Sequence, residues 1–274
     1  LLWSAPVEEV FDANGPDPVI HFYEDFLAAY DPGIRDEYGV FYTPKEIVQF
    51  MVSRTHHQLI EAFGLGLGLA DAMRWQTFAE QHSIPMPEGV DPDAPFVQIL
   101  DPATGTGTFL RCALELIHQT MMTEWGDLDE AKRLQNWREY VMGEGVWKGV
   151  GLLRRISAFE TLMAPFFVAH FQIGLWLQQT GVHLGGTQEL GVYMTNTLIQ
   201  DAGRSVPEGT RSVYNIKNEW PISVIFGNPP YGRVGAVEGE QLWVLNGSVP
   251  GRATDHSLFE DILAVARKHT IFSH

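Results

Sequence analysis

Cysteine is nearly absent from the 274 residues: Cys112 stands alone. An internal disulfide is therefore excluded, and the composition fits a reducing cytoplasm. No basic stretch followed by an apolar run opens the chain, which begins Leu-Leu-Trp-Ser-Ala-Pro, so a secretory signal is not expected. A start at Leu1 rather than Met fits a piece cut from something longer. Long uninterrupted apolar runs are missing too. The most apolar stretch, Phe159 to Leu177, contains Glu160, Pro165, His170 and Gln172, which suits a buried helix better than a membrane span. Positive charge is scarce, with 18 Lys and Arg against 34 Asp and Glu and a net charge of −16. Nucleic-acid binders usually carry a basic footprint. Either such a surface lies in a part of the protein outside this chain, or the substrate is not nucleic acid. His56-His57 and the scattered histidines show no metal spacing with cysteine or carboxylates, and surface or core roles are expected of them.

Hydrophobic residues make up 45% of the chain, enough for the core of one large domain. Ile20 to Tyr30 reads as a helix with Phe22, Phe26, Leu27 and Tyr30 on one face. Thr43-Pro44-Lys45-Glu46 predicts a helix start, with Thr43 as cap, Pro44 in the first turn and Glu46 closing a capping box. That helix should run to about Ala62, break at Gly64 to Gly68, and be followed by another around Ala70 to Gln81. Ser83 to Ala94 is a Pro-rich loop. Phe96 to Leu100 fits a buried parallel strand feeding a helix from Gly107 to Trp125. Asp127 to Tyr140 predicts a solvated helix, and Leu152 to Phe159 a second strand with a long helix after it. Gly191 to Met194 and Ile222 to Phe226 are further strands; Gly232 to Arg252 has no clear period, and Asp255 to Lys268 is an amphipathic helix. Strands alternating with helices predict a three-layer α/β sandwich on a mostly parallel sheet.

Two strand ends carry chemistry. Asp101-Pro102-Ala103-Thr104-Gly105-Thr106-Gly107-Thr108-Phe109 follows the first strand and opens a helix. Its small residues let backbone approach a ligand at a strand's carboxyl end. The dinucleotide fingerprint would need a glycine where Leu110 stands, and no Gly-Lys-Ser/Thr follows to make a phosphate loop. Asp101, ending the strand, suits a ligand with an ammonium group better than one with a pyrophosphate.

Gly227-Asn228-Pro229-Pro230-Tyr231 follows another apolar strand. An exocyclic amine on a purine is a poor nucleophile, because its lone pair is delocalised into the ring. The Asn228 side-chain oxygen and the Pro229 carbonyl, accepting its hydrogens, would draw it towards tetrahedral geometry. Proline stiffens the loop and offers no competing amide hydrogen. Tyr231 supplies a flat face on which a flipped base can stack, worth roughly 1–3 kcal/mol. The plainer reading of the same residues is a rigid turn with an aromatic lid.

Together the two strings resemble the amino-methyltransferase superfamily. Asp101 to Phe109 matches its cofactor motif and Asn228 to Tyr231 its catalytic motif. Gly39-Val40-Phe41-Tyr42-Thr43-Pro44 looks like the N-terminal motif of adenine-specific DNA methyltransferases of the gamma arrangement. The wording at His21 to Leu27, Tyr30-Asp31-Pro32, Phe159-Glu160 and Leu162 to Pro165 is similar to the methyltransferase region of single-polypeptide restriction–modification enzymes. The resemblance covers roughly Val19 to Tyr231. It implies a Rossmann-like fold that binds S-adenosylmethionine, with a helical segment at 1–38 and a catalytic domain at 39–274. It further implies double-stranded DNA as partner, gripped by a recognition domain outside this chain, with nuclease and helicase domains in the full polypeptide.

Carried over residue by residue, the resemblance implies a cofactor site of Tyr42, Thr43, Pro44, Asp101, Ala103, Gly105, Gly107, Phe109, Glu160 and Asn196. Asp101, with the Gly105 and Gly107 backbone, would hold the methionine part, Glu160 the ribose hydroxyls and Asn196 the adenine. Relatives often carry Asp at the last position. Asn228, Pro229, Pro230 and Tyr231 would be catalytic, with no metal. Cys112 reads as a buried small hydrophobe, and no Pro-Cys motif supports a pyrimidine-ring methylase. The Asn-Pro-Pro-Tyr string also suits glutamine or ribosomal RNA amine methyltransferases, and an inactive cofactor-binding module of a larger complex is a third reading. No function attaches to residues 122–151.

Overall fold

The computed structural model describes residues 43–185, 189–197 and 211–229. The predicted helices at 20–30 and 255–268, the stretch 232–252, Tyr42, Pro230 and Tyr231 lie outside the described residues.

Helix α1 spans Lys45–Phe63. Pro44 is its cap, in extended conformation, and its carbonyl accepts from Ile47 and Val48 at 2.9 and 3.1 Å. This corrects the expected capping box. With Pro44 one place before the helix, Thr43 falls outside the cap and Glu46 is the second helical residue, too early to reach back. Gly64 ends the helix in the left-handed conformation at φ 65°, its N–H donating to Ile60 O at 3.1 Å, and Leu65 N–H donates to Leu59 O at 3.2 Å. The next helix, α2 (Trp75–His82), starts later than the periodicity predicts. His56 Nδ1 accepts from Leu69 N–H at 3.3 Å, and Asp71 Oδ1 accepts from Met73 N–H at 2.9 Å, so local side-chain bonds take the backbone out of the helical ladder.

Four short strands form one parallel sheet in the order β3-β2-β1-β4: β1 is Ile99–Asp101, β2 Ile156–Glu160, β3 Val192–Met194 and β4 Val224–Ile225. Ile99 pairs with Ile156 on one side and Val224 on the other. Parallel neighbours need crossovers, and helices supply them: α3 (Thr108–Glu124) follows β1, α6 (Met163–Gln179) follows β2, and α7 (Arg211–Asn218) precedes β4. The sequence did not suggest α7. The chain steps from β1 outward to β3, then returns to place β4 on the far side of β1. A strand order that reverses in this way is compatible with a Rossmann-like fold and creates a switch point between β1 and β4.

Successive strand residues face opposite sides of a sheet, and two buried clusters follow that alternation. Ile99, Ala158, Val192 and Val224 join the main core with Leu110, Ala113 and Ile117 of α3 and Ala169, Ile173 and Leu177 of α6. Leu100 and Phe159 instead pack with Val213 and Ile216 of α7. Each such aliphatic residue, fully buried, contributes about 1.5–3 kcal/mol.

The stretch after α3 differs from expectation. Helix α4 (Glu130–Met142), capped by the Asp129 side chain on Lys132 N–H at 2.9 Å, is solvated on one face only. Trp137, Tyr140 and Val141 are completely buried. Residues 152–155 are not strand but a short helix, α5 (Leu152–Arg155), because Arg155 turns inward. Its guanidinium, 1% exposed, donates to Asp71 O and to the Tyr140 hydroxyl, which donates to Ala70 O at 2.6 Å. Residues 122–151 thereby acquire a structural role: α4 clamps the 70–71 turn to the base of β2. Among the described residues no helix is long and apolar enough to cross a membrane, and no group of metal-ligating side chains assembles.

Candidate functional site

Among the described residues, those singled out at strand ends stand at one end of the sheet. Asp101, Glu160 and the residues after Met194 and Ile225 all stand at carboxyl ends of parallel strands, and β4 lies directly beside β1. Phe226 N–H donates to Leu100 O at 3.2 Å, which carries Gly227 and Asn228 past Asp101. The approach is close. A Cβ on Gly227 would stand 2.6 Å from Asp101 Oδ1 and 3.4 Å from Pro102 Cδ. Gly227 thus allows the two strand ends to touch, and its place beside Asn228 was the signal available in the sequence.

Asp101 is fully buried. Its Oδ1 accepts from Ala103 N–H at 3.1 Å, while Oδ2 and the Thr104 hydroxyl are both buried without a well-formed hydrogen bond, the hydroxyl lying near enough to act on the carboxyl. Burial pushes the Asp101 carboxyl up to about 7; the Ala103 amide and the nearby Thr104 hydroxyl only partly counter this, and the Glu160 carboxylate adds to the rise. An orphaned buried acceptor is costly unless something donates to it. An ammonium group brought against this carboxylate would supply donors and return it to its charged form.

Glu160 ends β2 as a strand residue. Its Oε2 accepts from Gly105 N–H at 2.9 Å and its Oε1 from Leu162 N–H at 2.7 Å. Burial raises its carboxyl, and the amides of Leu162, Gly105 and Thr161 hold it down. A carboxylate has about four lone-pair sites, so acceptor capacity remains for a ligand hydroxyl after these amides are served.

The β1 turn is locked from within. Thr104 N–H donates to Phe159 O at 2.9 Å and Gly107 N–H to Thr104 O at 2.8 Å. With the Gly105 amide on Glu160, neither glycine amide is open in this structure, so these residues offer a ligand close approach rather than N–H donors. The two glycines differ. A Cβ on Gly105 would meet nothing within 4 Å, leaving open space above the turn, whereas one on Gly107 would stand 3.1 Å from Ala169 Cβ of α6. Gly107, at φ 92°, is therefore required by helix packing. Phe109 is 4% exposed, with its ring 5.9 Å from that of Phe226. The structure places it in the core, where it braces β1 against β4.

Asn196 follows β3, where Thr195 N–H donates to Glu160 O at 2.8 Å and the Thr197 hydroxyl donates to Pro102 O. The β1, β2 and β3 ends are thus stitched to one another. Thr43 and Pro44 enter at the start of α1, and the Lys45 ammonium that follows acts on the Cys112 thiol of α3, in the helix that begins at the β1 turn. Burial, with the Glu115 carboxylate adding to it, nevertheless pushes the half-buried thiol up to about 11. Asn228 is half-buried and Pro229 exposed. A surface hollow lined by Gln76, Glu80, Ile84 and Pro92 holds none of these residues.

No protein-family model and no curated protein matches the chain. Solved structures do. A DrdV–DNA complex shares 26% identity over 91% of this chain, with a TM-score of 0.46. A nuclease-deletion mutant of the Type ISP restriction–modification enzyme LlaGI, in complex with a DNA substrate mimic, shares 20% over 78%, with a TM-score of 0.46. The ATP-dependent Type ISP enzyme LlaBIII, bound to DNA, shares 19% over 92%, with a TM-score of 0.48. The chain spans 18%, 14% and 14% of their respective lengths.

Proposed function

We propose that this chain carries the S-adenosylmethionine-binding and catalytic core of an enzyme that methylates the N6 amine of adenine in DNA, as the modification part of a restriction–modification system. The observation that carries the reading is the adjacency of β1 and β4. It sets the buried Asp101 carboxylate, with Oδ2 lacking a well-formed hydrogen bond, beside the Asn228-Pro229 turn at the switch point of a parallel sheet, where such folds bind ligands. The fold in this reading is the three-layer methyltransferase sandwich, with residues 1–38 as a helical lead-in to a catalytic domain at 39–274. The protein acts in the cytoplasm, and double-stranded DNA is held by a recognition domain outside this chain, next to nuclease and helicase domains.

S-adenosylmethionine, when bound, supplies an electrophilic methyl group on a sulfonium. Asp101 Oδ2 would take the ammonium of its methionine part, Glu160 would take the ribose hydroxyls, and Asn196 would read the adenine. Thr43 and Pro44, with Tyr42, close the same end. The Asn228 carboxamide oxygen and the Pro229 carbonyl accept the two hydrogens of the flipped adenine's amine and orient its lone pair, and Tyr231, after Pro230, stacks on the ring. Orientation of this kind lowers a barrier by roughly 7–11 kcal/mol. As the amine nitrogen bonds to the methyl carbon the carbon–sulfur bond would break and S-adenosylhomocysteine would leave; the methylated amine, then cationic and acidic, would lose its proton late to water, so no strong general base and no covalent enzyme intermediate are required.

Asn228→Ala abolishes methyl transfer and leaves S-adenosylmethionine binding nearly intact; Asp101→Ala weakens binding first. Equal loss of both properties in the Asn228 variant, by tritium transfer and calorimetry, refutes this division. The net charge of −16 suits a protein substrate and so favours a second reading, an amine methyltransferase of a protein glutamine; a ribosomal RNA amine methyltransferase is the neighbouring alternative. Tritium transfer to adenine-containing DNA but not to ribosomal RNA or protein upholds the first.

A further inference from the structure

Building on the cofactor reading above, we propose that Lys217 is a positioning residue: it fixes the turn after β3 in the conformation that recognises the adenine end of the cofactor. Lys217 projects from α7, on the sheet face opposite α3 and α6. Its Nζ donates to Asn196 O at 2.8 Å and to Thr195 Oγ1 at 3.3 Å, and lies 5.6 Å from the centre of the Phe159 ring. Thr195 is tied in turn to Glu160, and Thr197 to Pro102 of the β1 turn. Residues 195–197 are thus anchored to β2, to the β1 turn and to α7.

An ammonium suits this task. It has three donors on a flexible stem, so it serves two oxygens of one turn while an aromatic face receives its charge. Holding the Asn196 carbonyl fixes the peptide plane that follows, and with it the backbone from which the Asn196 carboxamide extends. Helix α7 does not depend on Lys217 for its own seat, because Val213 and Ile216 pack against Leu100 and Phe159. The contact therefore acts on the turn rather than on the helix.

The test compares two ligands by calorimetry, S-adenosylhomocysteine and its inosyl counterpart, in which an oxygen replaces the purine amine. The unaltered protein binds the adenosyl ligand more tightly. Removing a charge-assisted bond corresponds to about tenfold in affinity, so Lys217→Met weakens the adenosyl ligand about tenfold and the inosyl ligand less than about threefold, collapsing the preference. Lys217→Arg keeps most of it. In an Asn196→Ala background the Lys217→Met change has little further effect, because the side chain it positions is gone. Lys217→Gln carries the same comparison if the methionine variant does not fold. Unchanged affinities, or an equal loss for both ligands, overturn the proposal. If the unaltered protein binds neither ligand, the cofactor reading itself falls, and this inference with it.

Discussion

Gly227 offers the sharpest test of whether the β1 and β4 ends form one site. Alanine there puts a methyl group 2.6 Å from Asp101 Oδ1 and 3.4 Å from both Asp101 Cγ and Pro102 Cδ. Carbon atoms prefer about 3.5–4.0 Å from their neighbours, so the carboxyl or the 227–228 backbone must move by most of an ångström. Asp101 has nowhere to go, being fully buried with Oδ1 on Ala103 N–H. Overpacking of this kind costs about 1–3 kcal/mol, and freeing the Ala103 amide or leaving Oδ1 unpaired costs about 1–3 kcal/mol more. A combined loss of about 3 kcal/mol lowers Tm by about 6–12 °C in a unit of this size. Calorimetric melting of Gly227→Ala, Asp101→Ala and the double variant closes the cycle. The Asp101→Ala background removes the obstructing oxygen, so there the Gly227 change should cost less than about 1 kcal/mol. A Gly227→Ala melting point within about 2 °C of the parent, or a cost unaffected by Asp101→Ala, refutes the contact and the argument built on it.

Asp101→Asn tests the buried carboxyl by pH. Its pKa in the folded chain, about 7, stands above its unfolded value, so the neutral acid favours the fold: its stabilisation is complete below about pH 4 and lost as pH rises through about 7. The asparagine variant loses this slope and melts higher than the parent at pH 8.5, while the parent's affinity for S-adenosylhomocysteine rises across the same window; an unchanged slope in the variant removes Asp101 from the account. Glu160→Gln places a donor against Gly105 N–H or Leu162 N–H, and calorimetry should register an affinity loss of about tenfold for S-adenosylhomocysteine and little for free methionine. Tyr140→Phe leaves Ala70 O and the buried Arg155 guanidinium short of partners, and urea unfolding should show about 2–4 kcal/mol lost with cofactor affinity retained. A loss below about 0.5 kcal/mol means that the cluster does not hold the 70–71 turn.

The elements that were legible in the chain are those whose signals are local. The strand at Ile99–Asp101 and the helix at Thr108–Glu124 stand where an apolar run, a Gly-rich turn and a helical period predict them. Helix α6 likewise coincides with the most apolar stretch, and Glu160 ends a strand although Ala158-Phe159 is a weak strand end by composition. Readings failed where a distant partner decides the conformation. The capping box at Thr43 to Glu46 gave way to a Pro44 cap, and Leu152 to Arg155 turned helical around an arginine whose acceptors lie at Asp71 and Tyr140. The charged face of α4 concealed Trp137 and Tyr140, because three buried residues in thirteen barely register as a period.

By itself the chain determined an α/β order of elements and two strand-end turns of unusual composition, at Asp101 and at Asn228, while Glu160 and Asn196 entered through the resemblance. Which of those turns are neighbours was beyond it, since strands of similar apolar sequence pair in any order until packing selects one. Tertiary structure made that selection: it set β4 beside β1 rather than beside β3, pressed Gly227 onto a buried carboxylate, and brought Lys217 from an unforeseen helix onto the turn at Asn196. The physical reason is that sheet order is fixed by which crossover helices can bury both faces at once, a property of the whole chain that no local window contains.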